Sequence, residues 1–267
     1  MEEIKIKVPI VEVLKIDSLR SRWVARVLFI VVFLIYTLST LYPIGDPDLS
    51  KYFQWLERYQ SYIRTNPDML SYLGLPVLTK GNILFIIFRT IISYVYIFIA
   101  FLYTGVYLSD RAQMKARAGL MRYLSRLPAL ISWVIFITIL FVFPLLPLIM
   151  DMSILIIIVV LAEMFFVVPS LFLSPALILH ERKSSFESII ASIRKTQGIK
   201  LSILTNLMML GLLFIIFLLM FSMFINPQKQ AFQLVFGYFF SYLVLAFGRL
   251  IGYMYETSVL LQSETSA

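Results

Sequence analysis

Six long runs of apolar residues dominate the sequence. A helix needs about 20 residues to cross the hydrocarbon core of a bilayer, and six segments meet this length: 23–43, 83–108, 128–150, 152–180, 201–225 and 231–255. They are much longer than the strands of a membrane barrel, so they predict helices. Charged residues make up only 14% of the chain, whereas soluble domains carry about 25%. The sequence therefore predicts an all-α, polytopic membrane protein, with a six-helix bundle as its single domain over residues 1–267.

Basic residues fall mostly on one side of this predicted bundle. If the N-terminus lies on that side, so do 17 of the 23 lysines and arginines, in the N-terminal segment, after the second and fourth spans, and near the end of the sixth. Because cytoplasmic segments are enriched in Lys and Arg, we expect a cell-membrane protein with both termini in the cytoplasm. This asymmetry and attraction to anionic lipids account for the net charge of +8 without a nucleic-acid partner.

Four segments outside the spans mix apolar and charged residues in the pattern of interfacial amphipathic helices. Residues 1–22 predict such a helix on the inner leaflet, with a frayed tail as the alternative. Residues 49–64 predict a helix in the outer loop, which either caps the bundle or serves as a gate or docking site. Residues 110–126 and 184–197 predict two short basic elbow helices on the inner side, facing either lipid or a partner.

Two ionisable residues lie well inside the predicted spans. Counting 1.5 Å per residue from the outer helix ends puts Arg89 of the second span about 9 Å deep and Glu163 of the fourth about 16 Å deep. Charges in a bilayer are costly and usually pair or face a cavity, so we expect an Arg89–Glu163 ion pair. The alternative is separate solvation, with Arg89 extending outward and Glu163 protonated or hydrogen-bonded.

Prolines interrupt the fourth span. Pro169 and Pro175 lie inside a run that is too long for one straight crossing, and each proline frees a carbonyl four residues earlier. Transporters use such broken helices at binding sites, although ordinary kinked bundles contain them too. We therefore treat Arg89, Glu163, Pro169 and Pro175 as the candidate intramembrane binding residues.

The sequence lacks the residue groups that common catalytic and metal sites require. It contains no cysteine and one histidine, His180. This excludes a disulfide framework, a thiolate zinc site and a cysteine nucleophile. The GDPD sequence at 45–48 brings two aspartates together without a third ligand for a metal. We therefore expect no catalytic activity, no metal and no cofactor.

Residues 175–200, PALILHERKSSFESIIASIRKTQGIK, carry a family resemblance. The segment contains a proline in a helix, followed by an acid, a serine and a glycine turn before the next span. These residues are Pro175, Glu187, Ser192 and Gly198. This segment resembles the membrane domain attached to some glycerophosphodiester phosphodiesterases, and small stand-alone relatives of that domain. The catalytic domain of those enzymes has no counterpart here. The resemblance implies a helical membrane module, with a role in lipid or envelope biology.

Three functions fit these features. The first is a membrane protein that handles or transports a lipid or amphiphile, or acts as an accessory subunit of an envelope complex, with membrane lipids as partners. The second is the permease subunit of an ABC-type transporter, in which the inner loops 109–127 and 181–200 contact an ATPase. Its coupling surface would comprise Arg117, Arg122, Glu187, Arg194 and Lys195. The third is a structural or assembly factor. The sequence does not define the oligomeric state.

Overall fold

The computed structural model describes residues 10–65, 78–142, 153–225 and 230–265, and their regular structure is entirely helical. The helices are, in chain order, α1 (Ile10–Leu14), α2 (Arg22–Leu41), α3 (Ser50–Thr65), α4 (Lys80–Arg111), α5 (Ala116–Val142), α6 (Ser153–Ala162), a π turn (Glu163–Val167), α7 (Val168–Leu171), α8 (Ser174–His180), α9 (Ser185–Lys195), α10 (Lys200–Phe224) and α11 (Gln230–Thr265).

Six helical segments in the described part are long and apolar enough to cross a membrane. They are Arg22–Leu41, Lys80–Arg111, Ala116–Val142, Ile158–His180, Lys200–Phe224 and Gln230–Leu260. The predicted all-α polytopic bundle is therefore confirmed. The predicted end of the third span at 150 and the predicted start of the fourth at 152 lie outside the described residues.

Helices α4 and α11 form the centre of the bundle, with α2 packed against both and α5 against α4. Gly248 lets α4 and α11 approach closely, because a Cβ at this position would lie 2.3 Å from the carbonyl oxygen of Ala100. Thr104 Oγ1 donates a hydrogen bond to the Gly248 carbonyl at 2.8 Å. Small residues at helix contacts are the usual means of tight packing in membranes.

The first inner elbow differs from the prediction. The sequence predicts a separate helix over 110–126, whereas α4 continues to Arg111 and α5 runs unbroken from Ala116 through Pro128. A Cβ at Gly119 of α5 would lie 2.9 Å from the carbonyl oxygen of Gly105 in α4. This close contact aligns the first turns of α5 with α4, and α5 continues through Pro128 although the proline removes one backbone hydrogen bond.

The GDPD sequence is part of a turn that docks on the start of α4. Asn82 Nδ2 donates to the carbonyl oxygens of Asp46 and Asp48, at 2.9 and 2.8 Å, while Asn82 and Thr79 form a capping box. Gly45 has a φ of 94°, and a Cβ there would lie 2.5 Å from the Gly81 carbonyl oxygen. These contacts give the sequence a structural role, just before α3.

Residues 10–21, called the N-terminal segment below, also differ from the prediction. Instead of an interfacial helix over 1–22, the structure has the short helix α1 followed by turns that lead to α2. Val13, Ile16 and Leu19 are buried, and α1 packs against α10 and α11. The three-residue spacing of these apolar side chains directs them into the bundle. Residues 1–9 lie outside the described part.

Candidate functional site

The fourth span is broken where the sequence has its prolines. The π turn, which begins at Glu163, precedes α7, and Pro169 and Pro175 lie in the first turns of α7 and α8. The Ser170 carbonyl is at this break and accepts a 2.7 Å hydrogen bond from Ser192 Oγ of α9. The break therefore attaches the inner elbow to the membrane span, because irregular backbone in a membrane needs a protein partner.

Helix α9 is well capped at its N-terminus. Ser184 Oγ accepts from the backbone N–H of Glu187, and the Glu187 carboxylate accepts from the backbone N–H of Ser184 at 3.0 Å. The Ser184 N–H lowers the pKa of Glu187. Glu187, predicted as a coupling residue, thus helps to form the helix on which it lies.

Glu181 joins three helices at the inner end of the bundle. Its carboxylate contacts Lys195 Nζ of α9 at 2.6 Å, Lys183 Nζ at 2.8 Å and the Tyr255 hydroxyl of α11 at 2.8 Å. Burial alone would raise the pKa of Glu181, but these hydrogen bonds lower it to about 2. Lys195, a second predicted coupling residue, therefore serves this internal cluster.

The other predicted coupling residues lie outside the membrane-spanning helices or near their ends. Arg117 and Arg194 are exposed, and Arg122 is partly buried, with its Nη2 3.1 Å from Met114 Sδ. On α9, the apolar side chains of Phe186, Ile190 and Ile193 are also exposed. This face can lie on the inner leaflet or contact a partner.

The expected Arg89–Glu163 ion pair is wrong for this structure, since no ion pair joins the two among the described residues. Arg89 instead lies over the ring of Phe85, one turn earlier in α4, with 5.4 Å between its Cζ and the ring centroid. Glu163 lies at the start of the π turn. Counting residues put both side chains in the same half of the membrane, about 7 Å apart in depth, but it does not determine which way each helix face points.

A cavity of about 210 Å³ lies beside Pro175, between α4, α5, α7–α8 and α11. Its lining is apolar except for the hydroxyls of Tyr94 and Thr138, 2.9 Å apart, and the indole of Trp133. Of the predicted binding residues, only Pro175 lines this cavity.

Sequence reasoning missed a cluster of donors that binds the N-terminal segment. The Tyr103 hydroxyl donates to the Ile16 carbonyl at 2.7 Å, the Tyr242 hydroxyl to the Leu14 carbonyl, and Arg249 Nη1 to the Lys15 carbonyl. Arg249 is only 2% exposed. An arginine in the last apolar run was the available signal, but its tyrosine neighbours lie on two helices far apart in sequence.

Two grooves meet at the N-terminal segment. The first, called the α10–α11 groove, has a volume of about 320 Å³ and an almost wholly apolar lining from Leu14, α10 and α11. The second, called the N-terminal groove, has about 500 Å³ and includes Lys15, Asp17 and Arg26. Leu14, Tyr238 and Tyr242 line both grooves, so the apolar groove and the charged groove adjoin along these three side chains.

The described residues contain no group of three or more His, Cys, Asp or Glu side chains placed to hold a metal ion. The two grooves present apolar surface, tyrosine hydroxyls and charged side chains. Fold and site together define a multi-pass helical membrane protein with an amphipathic lateral groove. Comparisons with protein-family models, curated proteins and solved structures find no match for the chain.

Proposed function

We propose that the protein binds a membrane lipid, or an amphiphile of similar build, in the two joined grooves, and that it handles this molecule without chemical catalysis. The observation that carries the proposal is the shared wall of Leu14, Tyr238 and Tyr242. It places an apolar groove directly beside a groove that contains two cations.

The physical reason is the solvent around the bundle. Phe217 of the α10–α11 groove and Tyr238 are exposed on the bundle surface, where lipid surrounds a membrane protein. Close-packed interiors and interfaces leave few voids, so an acyl chain fills an apolar groove that opens to the bilayer. Pockets for amphiphiles combine an apolar lining with a few polar groups that fix orientation.

The charged end indicates which headgroup fits. Lys15 and Arg26 contribute two positive charges to the N-terminal groove, and Asp17 contributes one negative charge. Arg26 Nε lies 3.6 Å from Asp17 Oδ2, and both side chains are largely exposed. Lys15 Nζ likewise lies 2.5 Å from Glu12 Oε1, so each cation has a carboxylate partner. Exposed ion pairs are weak, and an anionic headgroup can compete with these carboxylates for Lys15 and Arg26.

We also propose that the protein resides in the cell membrane with both termini in the cytoplasm. This orientation follows from the bias of basic residues toward one side. It puts Lys15 and Arg26 at the cytoplasmic leaflet, where anionic lipids attract basic groups.

Lipid retention tests the proposal. Leu213 lines the α10–α11 groove, so Leu213→Trp fills it. Leu212→Trp is the matched control, because Leu212 is 52% exposed and points to the surface. After mild detergent extraction, mass spectrometry counts the lipids bound per protein. We expect the wild type and L212W to retain lipid and L213W to lose most of it.

Equal retention in all three proteins contradicts lipid binding in the groove. If a nucleotide-binding subunit co-purifies and no lipid is retained, the ATPase-coupled permease is the better explanation, and its contacts should then include Arg117 and Arg194. A stable complex without lipid or ATPase would favour an assembly factor.

A further inference from the structure

Three consecutive backbone carbonyls of the N-terminal segment are bound by side chains of the bundle. The hydroxyls of Tyr103 and Tyr242 bind the carbonyls of Ile16 and Leu14, and the guanidinium of Arg249 binds that of Lys15. Tyr103 and Arg249 are almost completely buried. Two hydroxyl donors and a cation thus converge on one short piece of chain.

This donor set exceeds what backbone carbonyls require. Buried arginines normally pair with a carboxylate, because an uncompensated charge in a membrane is costly. Among the described residues Arg249 has no ion pair, and its Nε has no hydrogen-bond partner. Its Cζ lies 5.3 Å from the centroid of the Tyr107 ring, and the carboxylates of Glu12 and Glu256 act on its charge from a distance, without an ion pair. The charge is therefore compensated only in part.

The donors also adjoin the lipid site proposed above. Tyr242 is one of the three residues that line both grooves, and Leu14, which accepts its hydrogen bond, is another. When the segment leaves, Leu14 leaves with it, but the lining from α10 and α11 remains. A headgroup bound at Tyr242 would therefore have its acyl chains along Leu213 and Phe217 of that groove.

We propose that Tyr103, Tyr242 and Arg249 form a binding site for the phosphate group of an anionic lipid, and that the N-terminal segment occupies this site in the present structure. The inference rests on the proposed lipid-binding function and adds the headgroup chemistry and its regulation. A phosphate supplies several strong acceptor oxygens and the negative charge that Arg249 lacks. The carbonyls of residues 14–16 take the place of these oxygens when the segment is docked.

Besides the three carbonyl hydrogen bonds, the segment is held by a small set of contacts that single substitutions can weaken. Val13, Ile16 and Leu19 bury their side chains, and the backbone N–H of Arg20 donates to both carboxylate oxygens of Asp110, each at 3.2 Å. Weakening one buried contact should shift the equilibrium toward the undocked segment while leaving all three donors intact.

The test uses the full chain. Val13→Ser weakens docking at a residue that is 1% exposed, and Val11→Ser is the matched control on the same helix, at 60% exposure. Retention of phosphatidylglycerol and of phosphatidylcholine is measured by native mass spectrometry after equal exposure to each lipid. We expect V13S to raise phosphatidylglycerol retention several-fold over wild type and V11S. Phosphatidylcholine retention should rise less, because its choline cation offsets the charge of its phosphate.

A second substitution tests the donors. Arg249→Gln in the V13S protein should abolish the several-fold gain, because one charge-assisted hydrogen bond changes affinity by about tenfold. Tyr103→Phe removes only the hydroxyl donor, so it should also lower the gain. Because it keeps the ring volume, this variant should fold even if R249Q does not.

Three results would overturn the proposal. The first is equal phosphatidylglycerol retention by V13S and V11S. The second is a gain that survives both donor substitutions. The third is stabilisation of V13S by inorganic phosphate alone, without a preference for the anionic lipid. None of these concerns the apolar groove. Failure of the proposed function appears instead as lipid retention that L213W does not change, whatever the headgroup.

Discussion

Glu181 shows how single side chains hold the inner end of the molecule together. It follows directly on the broken fourth span, and its carboxylate binds α9 through Lys195 and α11 through Tyr255. A carboxylate with three donors is strongly favoured over the protonated acid. This explains why its pKa falls to about 2 despite partial burial.

The lowered pKa makes this contribution to stability depend on pH. Since the folded-state pKa lies below the usual 4.5, the stabilisation is complete above that value and disappears as the pH falls toward 2. We expect Glu181→Gln to lower the free energy of unfolding by about 1–2 kcal/mol at pH 7. Its difference from the wild type should shrink between pH 4.5 and 2.

Thermal unfolding in detergent across this pH range measures the effect. Glu57→Gln, on the exposed surface of α3, is the control and should change little. A Glu181→Gln difference that stays constant down to pH 2 would show that the carboxylate charge does not stabilise the cluster.

At the residue scale, the sequence predicted the position of irregular backbone better than it predicted which side chains contact each other. Pro169 and Pro175 do mark the broken span. Arg89 and Glu163 do not form the expected ion pair. Residue counting estimates the depth of a side chain but not the rotation of each helix about its axis, so it could not show that the two side chains stay apart. The donors Tyr103, Tyr242 and Arg249 could not be grouped, because only the fold brings α4 and α11 to the N-terminal segment.

At the scale of helices, close contact between α4 and α11 depends on glycine. The Gly248 position faces the backbone of Ala100, which cannot move aside as a flexible side chain can. Gly211 of α10 is a useful comparison, because a Cβ at that position would meet nothing within 4 Å.

These two glycines predict opposite effects of the same substitution. Gly248→Ala should lower stability by about 2 kcal/mol or more, because the added methyl group forces the two central helices apart. Gly211→Ala should be neutral or stabilise α10 by up to about 1 kcal/mol, as alanine is the better helix former. Midpoints of thermal unfolding compare the two; equal destabilisation by both would argue against the tight α4–α11 contact.

The long helices were predictable because apolar length alone specifies a span, whereas their ends were not. The expected break before Pro128 does not occur, since the Gly105–Gly119 contact continues α5 alongside α4. The position of the N-terminal segment was also predicted wrongly, because it too depends on contacts between distant parts of the chain. Its amphipathic pattern suits a leaflet surface, yet its buried face matches α10 and α11 as well.

At the scale of the whole molecule, the proposed orientation can be tested in intact cells. The chain has no cysteine, so single cysteines report accessibility without background. Gln54 of α3 and Gln197 after α9 are both exposed and lie on opposite sides in the proposed topology. An impermeant thiol reagent should label Gln54→Cys from outside and reach Gln197→Cys only after permeabilisation. The reverse labelling pattern would show that the chain has the opposite orientation in the membrane.

The central claim is that the space between α10, α11 and the N-terminal segment holds a lipid. The most direct measurement is an experimental structure of the full chain in lipid nanodiscs, at a resolution that shows acyl chains. We expect elongated density along Leu213 and Phe217, with its polar end near Tyr242. A groove closed by direct contact of Phe217 and Leu213 with α11, and no density between the helices, would contradict the account.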